Sequence, residues 1–202
     1  RSKRMPTISP ALMDRSVASP SLPPAAKEQY QKLATTLHQI QAERGTQSLA
    51  ISSAVASQGK TLTASNLAIT LSQSFNRRVL LVDADLRRPG VHEFFETPLA
   101  PGFAEALRGE PGDAPALIPV TPSLTILTAG NTADPIGALS SDRMSLFVEK
   151  MKPSFDWILF DTPPVGLLAD AKLVASYTDG VILVVAAGQT PSSMIQGAMD
   201  AF

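Results

Sequence analysis

The chain has 202 residues, no cysteine and two histidines. That excludes a disulfide scaffold, a cysteine-type zinc site, a thiol nucleophile and an iron–sulfur cluster, and it argues against a multi-histidine metal site. Seventeen Lys and Arg stand against 18 Asp and Glu, a formal net charge of −1, which speaks against nucleic acid as the main partner.

Residues 1–25 read as a linker. They hold Pro6, Pro10, Pro20, Pro23 and Pro24 among several serines, a composition too poor in apolar side chains to bury a core. Arg1, Lys3 and Arg4 open it, which fits either a solvated tail or the cytoplasmic flank of an upstream membrane helix. No apolar stretch follows these charges, so there is no signal-peptide pattern. The longest apolar run, Val181 to Ala187, is far short of the ~20 residues that a bilayer requires. The expectation is cytoplasmic residence. Because the chain begins with Arg1, a piece cut from something longer is also expected.

Residues 26–202 read as one α/β domain. Ala25 to Arg44 predicts a helix, with Tyr30, Leu33, Leu37 and Ile40 on one stripe and Gly45 as its stop. Ser48 to Ser53 predicts a strand, and Thr61 to Ser74 a helix. Short apolar strands follow at Val79–Val82, Leu124–Leu127, Trp157–Phe160 and Val181–Val185. Helical patterns lie between them at Phe103–Leu107, Asp142–Met151 and Asp170–Tyr177. Pro98 to Pro122 is a proline-rich insert of loops with one short helix. Continuous apolar strands with helical crossovers predict a mostly parallel sheet flanked by helices on both faces.

Ala54 to Thr61 reads AVASQGKT, after a predicted strand and opening a predicted helix. It matches the phosphate-loop pattern G-x-x-x-x-G-K-[ST] at Gly59, Lys60 and Thr61, with Ala54 in place of the first glycine. Backbone N–H groups of such a loop and of the helix start point at phosphate oxygens. The candidate nucleotide-binding set is Ala56, Ser57, Gln58, Gly59, Lys60, Thr61 and Leu62. Lys60 would reach the β- and γ-phosphates, and the Thr61 hydroxyl would ligate Mg²⁺. A bare GKT also occurs by chance at helix starts, so its context matters. Two apolar strands downstream end in acids: VLLVDADLRRP places Asp83 and Asp85, and WILFDTPP places Asp161. Beyond the carboxyl ends of a parallel sheet, beside a phosphate loop, these acids are positioned for Mg²⁺. Three carboxylates, Asp83, Asp85 and Asp161, and the Thr61 hydroxyl supply the oxygen ligands for such a site.

Together, GKT, NLA at Asn66 to Ala68, DADLRRP and DTPP resemble the bacterial tyrosine kinases, the capsular and exopolysaccharide autokinases built on a phosphate-loop ATPase fold. The resemblance runs from about Glu28 to about Pro191. It implies an ATP- and Mg²⁺-dependent enzyme that transfers the γ-phosphoryl group to tyrosines. Lys60, Asp83 and Asp85 would be catalytic, with Asp85 and Asp83 activating the tyrosine hydroxyl. The implied metal set is Thr61, Asp83 and Asp161. Asp170 matches a recurrent acid that opens the helix after DTPP. The implied partners are ATP or ADP, a membrane polysaccharide co-polymerase protein or an upstream membrane segment of the same chain, and further copies of the chain. The implied place is the inner face of the cell membrane. The alternative is an ATPase switch of the same fold, of the partitioning or division type. Those relatives carry an extra lysine early in the phosphate loop, absent from Ala54 to Ser57.

Three features depart from the family pattern. Ala56-Ser57-Gln58 replaces Pro-Gly-Glu, so a left-handed backbone at Ser57 would carry roughly 1 kcal/mol or more of strain. In the first helix Glu28 is kept, but Gln31 and Ala34 replace the arginines used between subunits. The tyrosine-rich tail is absent, leaving Tyr30 and Tyr177, and the family's last strand and helix are expected to be missing too.

Overall fold

The computed structural model describes residues 5–109, 114–140, 142–166 and 169–202. The basic residues Arg1, Lys3 and Arg4 lie outside these. In chain order the elements are α1 (Pro10–Met13), α2 (Pro24–Arg44), β1 (Ser48–Ser53), α3 (Lys60–Ser74), β2 (Val79–Asp83), α4 (Val91–Phe94) and α5 (Phe103–Arg108). Then come β3 (Ile118–Pro119), β4 (Leu124–Leu127), α6 (Pro135–Leu139), α7 (Asp142–Met151), β5 (Trp157–Asp161), α8 (Asp170–Ala175), β6 (Gly180–Val184) and α9 (Ser192–Met199).

The strands form one sheet in the order β3-β4-β2-β5-β1-β6. All neighbours are parallel except β3, which runs antiparallel to β4 at the edge. Alternation along each strand builds two cores. Leu49, Ile51, Val79, Leu81, Leu124, Ile126, Trp157 and Leu159 face one side, against Ala34 and Leu37 of α2, Leu67 and Leu71 of α3, and Phe94. Ala50, Leu80, Val82, Leu127, Ile158 and Phe160 face the other, against Phe103, Leu107, Phe147, Val148 and Val174. Both faces are covered, so β2 and β5 read as unbroken apolar runs up to their terminal acids. Phe103, Phe147 and Phe160 meet edge-on or tilted, with centroids 5.0 to 6.4 Å apart. The edge strand β6 is half-exposed at every position.

Gly45 ends α2 as expected, with φ 70° and its N–H donating to Gln41 O. The proline-rich start differs from the expected extended linker, because residues 5–19 pack on the domain. Ile8, Leu12 and Val17 lie against the first core. The Ser9 amide donates to Phe94 O, and Ser16 and Ser19 are buried. The Asn66 side chain clasps this strap, accepting from Val17 N at 3.0 Å and donating to Arg15 O at 2.9 Å. Three spaced apolar residues and one buried amide achieve what periodicity could not reveal.

Candidate active site

The sheet order places the carboxyl ends of β2, β5 and β1 side by side. Asp83 and Asp161 are register partners, and Ile51 lies opposite Asp161. The loop leaving β1 therefore crosses directly over the two acids. Ser57 has φ 61° and Gly59 has φ 80°, so the loop turns twice through left-handed backbone before α3 begins at Lys60. Gly59 adopts this freely, whereas Ser57 bears the strain expected for a residue with a Cβ. Gly166 lets the segment after β5 approach closely, since a Cβ there would sit 2.5 Å from Ala54 O.

Ala56 and Ser57 are exposed at the crown of the loop, while Gln58 and Gly59 are half-buried. Gln58 is held from two sides. Its Oε1 accepts from Val55 N at 3.4 Å, and its Nε2 donates to Thr190 Oγ1 on the connection after β6. The Leu62 side chain packs against the first core, so its amide is the group it can offer a ligand. Lys60 is buried and, by charge, favours the ionised forms of Asp85 and Asp161.

The Thr61 hydroxyl donates to Asp161 Oδ2 at 2.5 Å. Asp161 Oδ1 is buried with no hydrogen-bond partner. Burial pushes the Asp161 carboxyl up to about 7, with the Thr61 hydrogen bond and Lys60 opposing it and Asp85 adding to it. Asp83 Oδ1 accepts from Asp85 N at 3.2 Å, and its Oδ2 accepts from Gly90 N and Val91 N, both at 2.9 Å. Burial, and then the charge of Asp161, raise Asp83 well above the ordinary carboxylate range. Asp85 accepts from Arg88 N at 3.0 Å and is also raised, chiefly by burial.

Three buried acids in one mouth are costly without a cation. Hard oxygen donors at Thr61, Asp161 and Asp83, one of them unpartnered, suit Mg²⁺. Among the described residues no group of three or more His, Cys, Asp or Glu is arranged to hold a metal alone. Such an ion would therefore complete its shell with phosphate oxygens and water.

Every residue of the sequence-derived set lies around this mouth. Sequence reasoning missed the grip of Thr190 on Gln58 and the close approaches of Gly166 and Gly90. A Cβ on Gly90 would meet Thr61 Cγ2 at 3.1 Å. Arg87, also at the mouth, forms a two-pronged pair with buried Asp170, Nε to Oδ2 at 2.8 Å and Nη2 to Oδ1 at 3.3 Å. Glu28 is exposed on α2, paired with Lys32 at 3.1 Å. A cavity of about 560 Å³ lies elsewhere, lined by Pro6, Glu96, Pro98, Leu117 and Ile118 among others and by none of the site residues.

No family model matches the chain. It is 32% identical over 192 residues to the tyrosine-protein kinase YwqD of Bacillus subtilis (strain 168), covering 94% of this chain and 81% of that protein. It is 34% identical over 154 residues to the succinoglycan biosynthesis transport protein ExoP of Rhizobium meliloti (strain 1021), of whose length it spans 19%. Among solved structures, the kinase domain of the Escherichia coli tyrosine kinase ETK superposes with a TM-score of 0.84 at 28% identity, over 99% of this chain and 77% of that one. The septum site-determining protein MinD of Pyrococcus horikoshii, complexed with Mg-ADP, shares the fold at a TM-score of 0.58 and 24% identity, over 69% of this chain and 58% of that one. The mouth of acids under a phosphate loop and the match to YwqD over most of both chains lead to one conclusion: the chain belongs to the bacterial tyrosine-protein kinases.

Proposed function

We propose that this chain binds ATP with Mg²⁺ at the phosphate loop and transfers the γ-phosphoryl group to tyrosine hydroxyls. One observation carries the site assignment: the unpartnered, buried Asp161 Oδ1 beside the Thr61 hydroxyl, under the loop that ends in Lys60. The start of α3 and Lys60 bind the phosphates. Thr61, Asp161 and Asp83 hold Mg²⁺, which when bound neutralises charge on the phosphate oxygens. Asp85 takes the proton of the attacking tyrosine as the new P–O bond forms and the bond to ADP breaks. Burial raises its proton affinity toward what a base at neutral pH needs.

The biological setting belongs to the same proposal. ExoP is named for succinoglycan biosynthesis and transport, and this chain matches a fifth or less of it. A role in exopolysaccharide synthesis follows, with a membrane co-polymerase or an adjoining membrane segment as partner at the inner membrane face, and with association between copies of the chain. Among the described residues no helix is long and apolar enough to cross a membrane.

The test is transfer to a tyrosine-rich peptide, mapped by mass spectrometry. The wild type should label the peptide only with ATP and Mg²⁺, and Asp85→Asn should lower the rate about 100-fold or more. Hydrolysis of ATP without any phosphotyrosine would instead make the chain a nucleotide switch.

A further inference from the structure

We propose that Asp170 and Arg87 are positioning residues, a strut that fixes the loop carrying Asp85 against the element after β5. The proposal rests on the kinase reading above.

Asp170 opens α8, its side chain is 1% exposed, and α8 packs against β1. It is therefore a fixed post in the body of the domain. Arg87 lies two residues beyond Asp85 on the loop between β2 and α4. Its guanidinium meets Asp170 through two nitrogens, and a planar fork fixes orientation as well as distance. The loop has other ties of a different kind. Asp83 accepts the amides of Asp85, Gly90 and Val91, closing the loop on itself. The Ala84 amide donates to Asp161 O and anchors its first residue. Arg87 adds an anchor near the crown, on the far side of Asp85 from that first tie.

An arginine beside a phosphate site could instead leave its partner and meet the transferring phosphoryl group. Here burial decides against that role. Withdrawing Arg87 would strand a carboxylate that is almost wholly out of water, whereas the arginine side chain itself is 36% exposed and gains little by staying. Arg87 therefore stays on Asp170, and what it contributes to transfer is the placement of Asp85.

The test uses the full chain with Arg87→Gln, Arg87→Lys and Asp170→Asn. Rates are measured with Mg-ATP and a tyrosine-rich peptide, Mg-ADP affinity by calorimetry, and amide hydrogen exchange without nucleotide. Arg87→Gln and Asp170→Asn should each lower kcat about 100-fold, as misplaced catalytic groups do, with KM for Mg-ATP and Mg-ADP affinity within about two-fold. Exchange at the Arg88 and Gly90 amides should speed about ten-fold in both. Arg87→Lys keeps the charge without the fork, so it should restore the unfolding midpoint but leave kcat depressed. If Arg87→Gln fails to fold because its carboxylate partner is stranded, the double variant Arg87→Gln/Asp170→Asn removes both charges and is read in the same way. Unchanged kcat and unchanged exchange would overturn the strut. So would full activity in Asp170→Asn beside a dead Arg87→Gln, which would mark an arginine acting on phosphate directly. If the wild type itself transfers nothing to peptide, the kinase reading fails. The exchange rates still decide the strut: acceleration supports it and no change ends it.

Discussion

Asp161 carries two opposed demands. Its Oδ1 has no hydrogen-bond partner and its Oδ2 takes the Thr61 hydroxyl, and burial raises the carboxyl to about 7. An acid raised on folding supports the fold below its ordinary value near 3.8 and loses that support as pH climbs through its folded value. Without ligands, stability should decline between pH ~4 and ~7 on this account and then level. Asp161→Asn should lessen that decline, to which the raised Asp83 and Asp85 also contribute, and raise the unfolding midpoint at pH 7.5 by roughly 3–6 °C, since it removes about 1–2 kcal/mol of strain. The same change should abolish the Mg²⁺ dependence of ADP binding. Calorimetry and thermal melts across pH read both effects. Lys60 gives a simpler prediction. A lost charge-assisted bond to phosphate is worth ~2–3 kcal/mol, so Lys60→Met should weaken Mg-ADP about 100-fold. Equal affinity in the two proteins would remove Lys60 from the site.

At the level of elements, β1, β4 and α7 run just as their sequence patterns predict, and β2 extends one residue further to include Asp83. Strands β2 and β5 were legible because each is buried on both faces and is apolar up to its terminal acid. The acids were legible because nothing else in those strands is polar. Other elements were not. Helix α6 is five residues, started by Pro135 after an Asp134 cap, and α4 is four; neither spans enough turns to show a period. The antiparallel β3 is two residues long, one of them a proline. The strap over α3 was hidden for a different reason, because its main anchor is remote in sequence. Asn66 was noticed only as part of a resemblance, and the structure gives it the task of satisfying two backbone groups of the strap. Asn66→Ala should leave both without that partner and cost about 1–3 kcal/mol. Proteolysis and hydrogen exchange between Met13 and Ser19 should accelerate before the rest of the domain opens. Unaltered protection there would mean that Leu12 and Val17 hold the strap unaided. Asp179 works at the opposite edge of the sheet. Burial disfavours its charge, yet the amides of Gln47 and Ser48 and the Ser48 hydroxyl hold it below the ordinary range. Its support for the β1–β6 pairing is therefore present above pH ~4 and lost as pH falls below it.

For the molecule as a whole, the question is what presents a tyrosine. The chain has two, Tyr30 on α2 and Tyr177 just after α8, and both are half-buried. Tyr177 packs against the second core. Neither sits on a free segment that could bring its hydroxyl within ~3 Å of a γ-phosphate on a neighbouring molecule. Incubation with ATP and Mg²⁺ alone should therefore leave both nearly unlabelled while an added tyrosine-rich peptide is modified. Rapid stoichiometric labelling of Tyr30 or Tyr177 would refute this. The order of the sheet also bears on how the protein comes into being. β1 supplies the phosphate loop, yet its neighbours are β5 and β6, the last two strands among the described residues. The bond from Thr162 N to Ile51 O spans 111 residues. On a ribosome, β1 emerges early and waits unpaired while most of the domain is translated. Its apolar stretch from Leu49 to Ile51 is then an edge with no sheet to join, open to chaperones and to other nascent chains. Nucleotide has no seat until Asp161 has left the exit tunnel, so ATP can act as a folding ligand only after β5 has emerged.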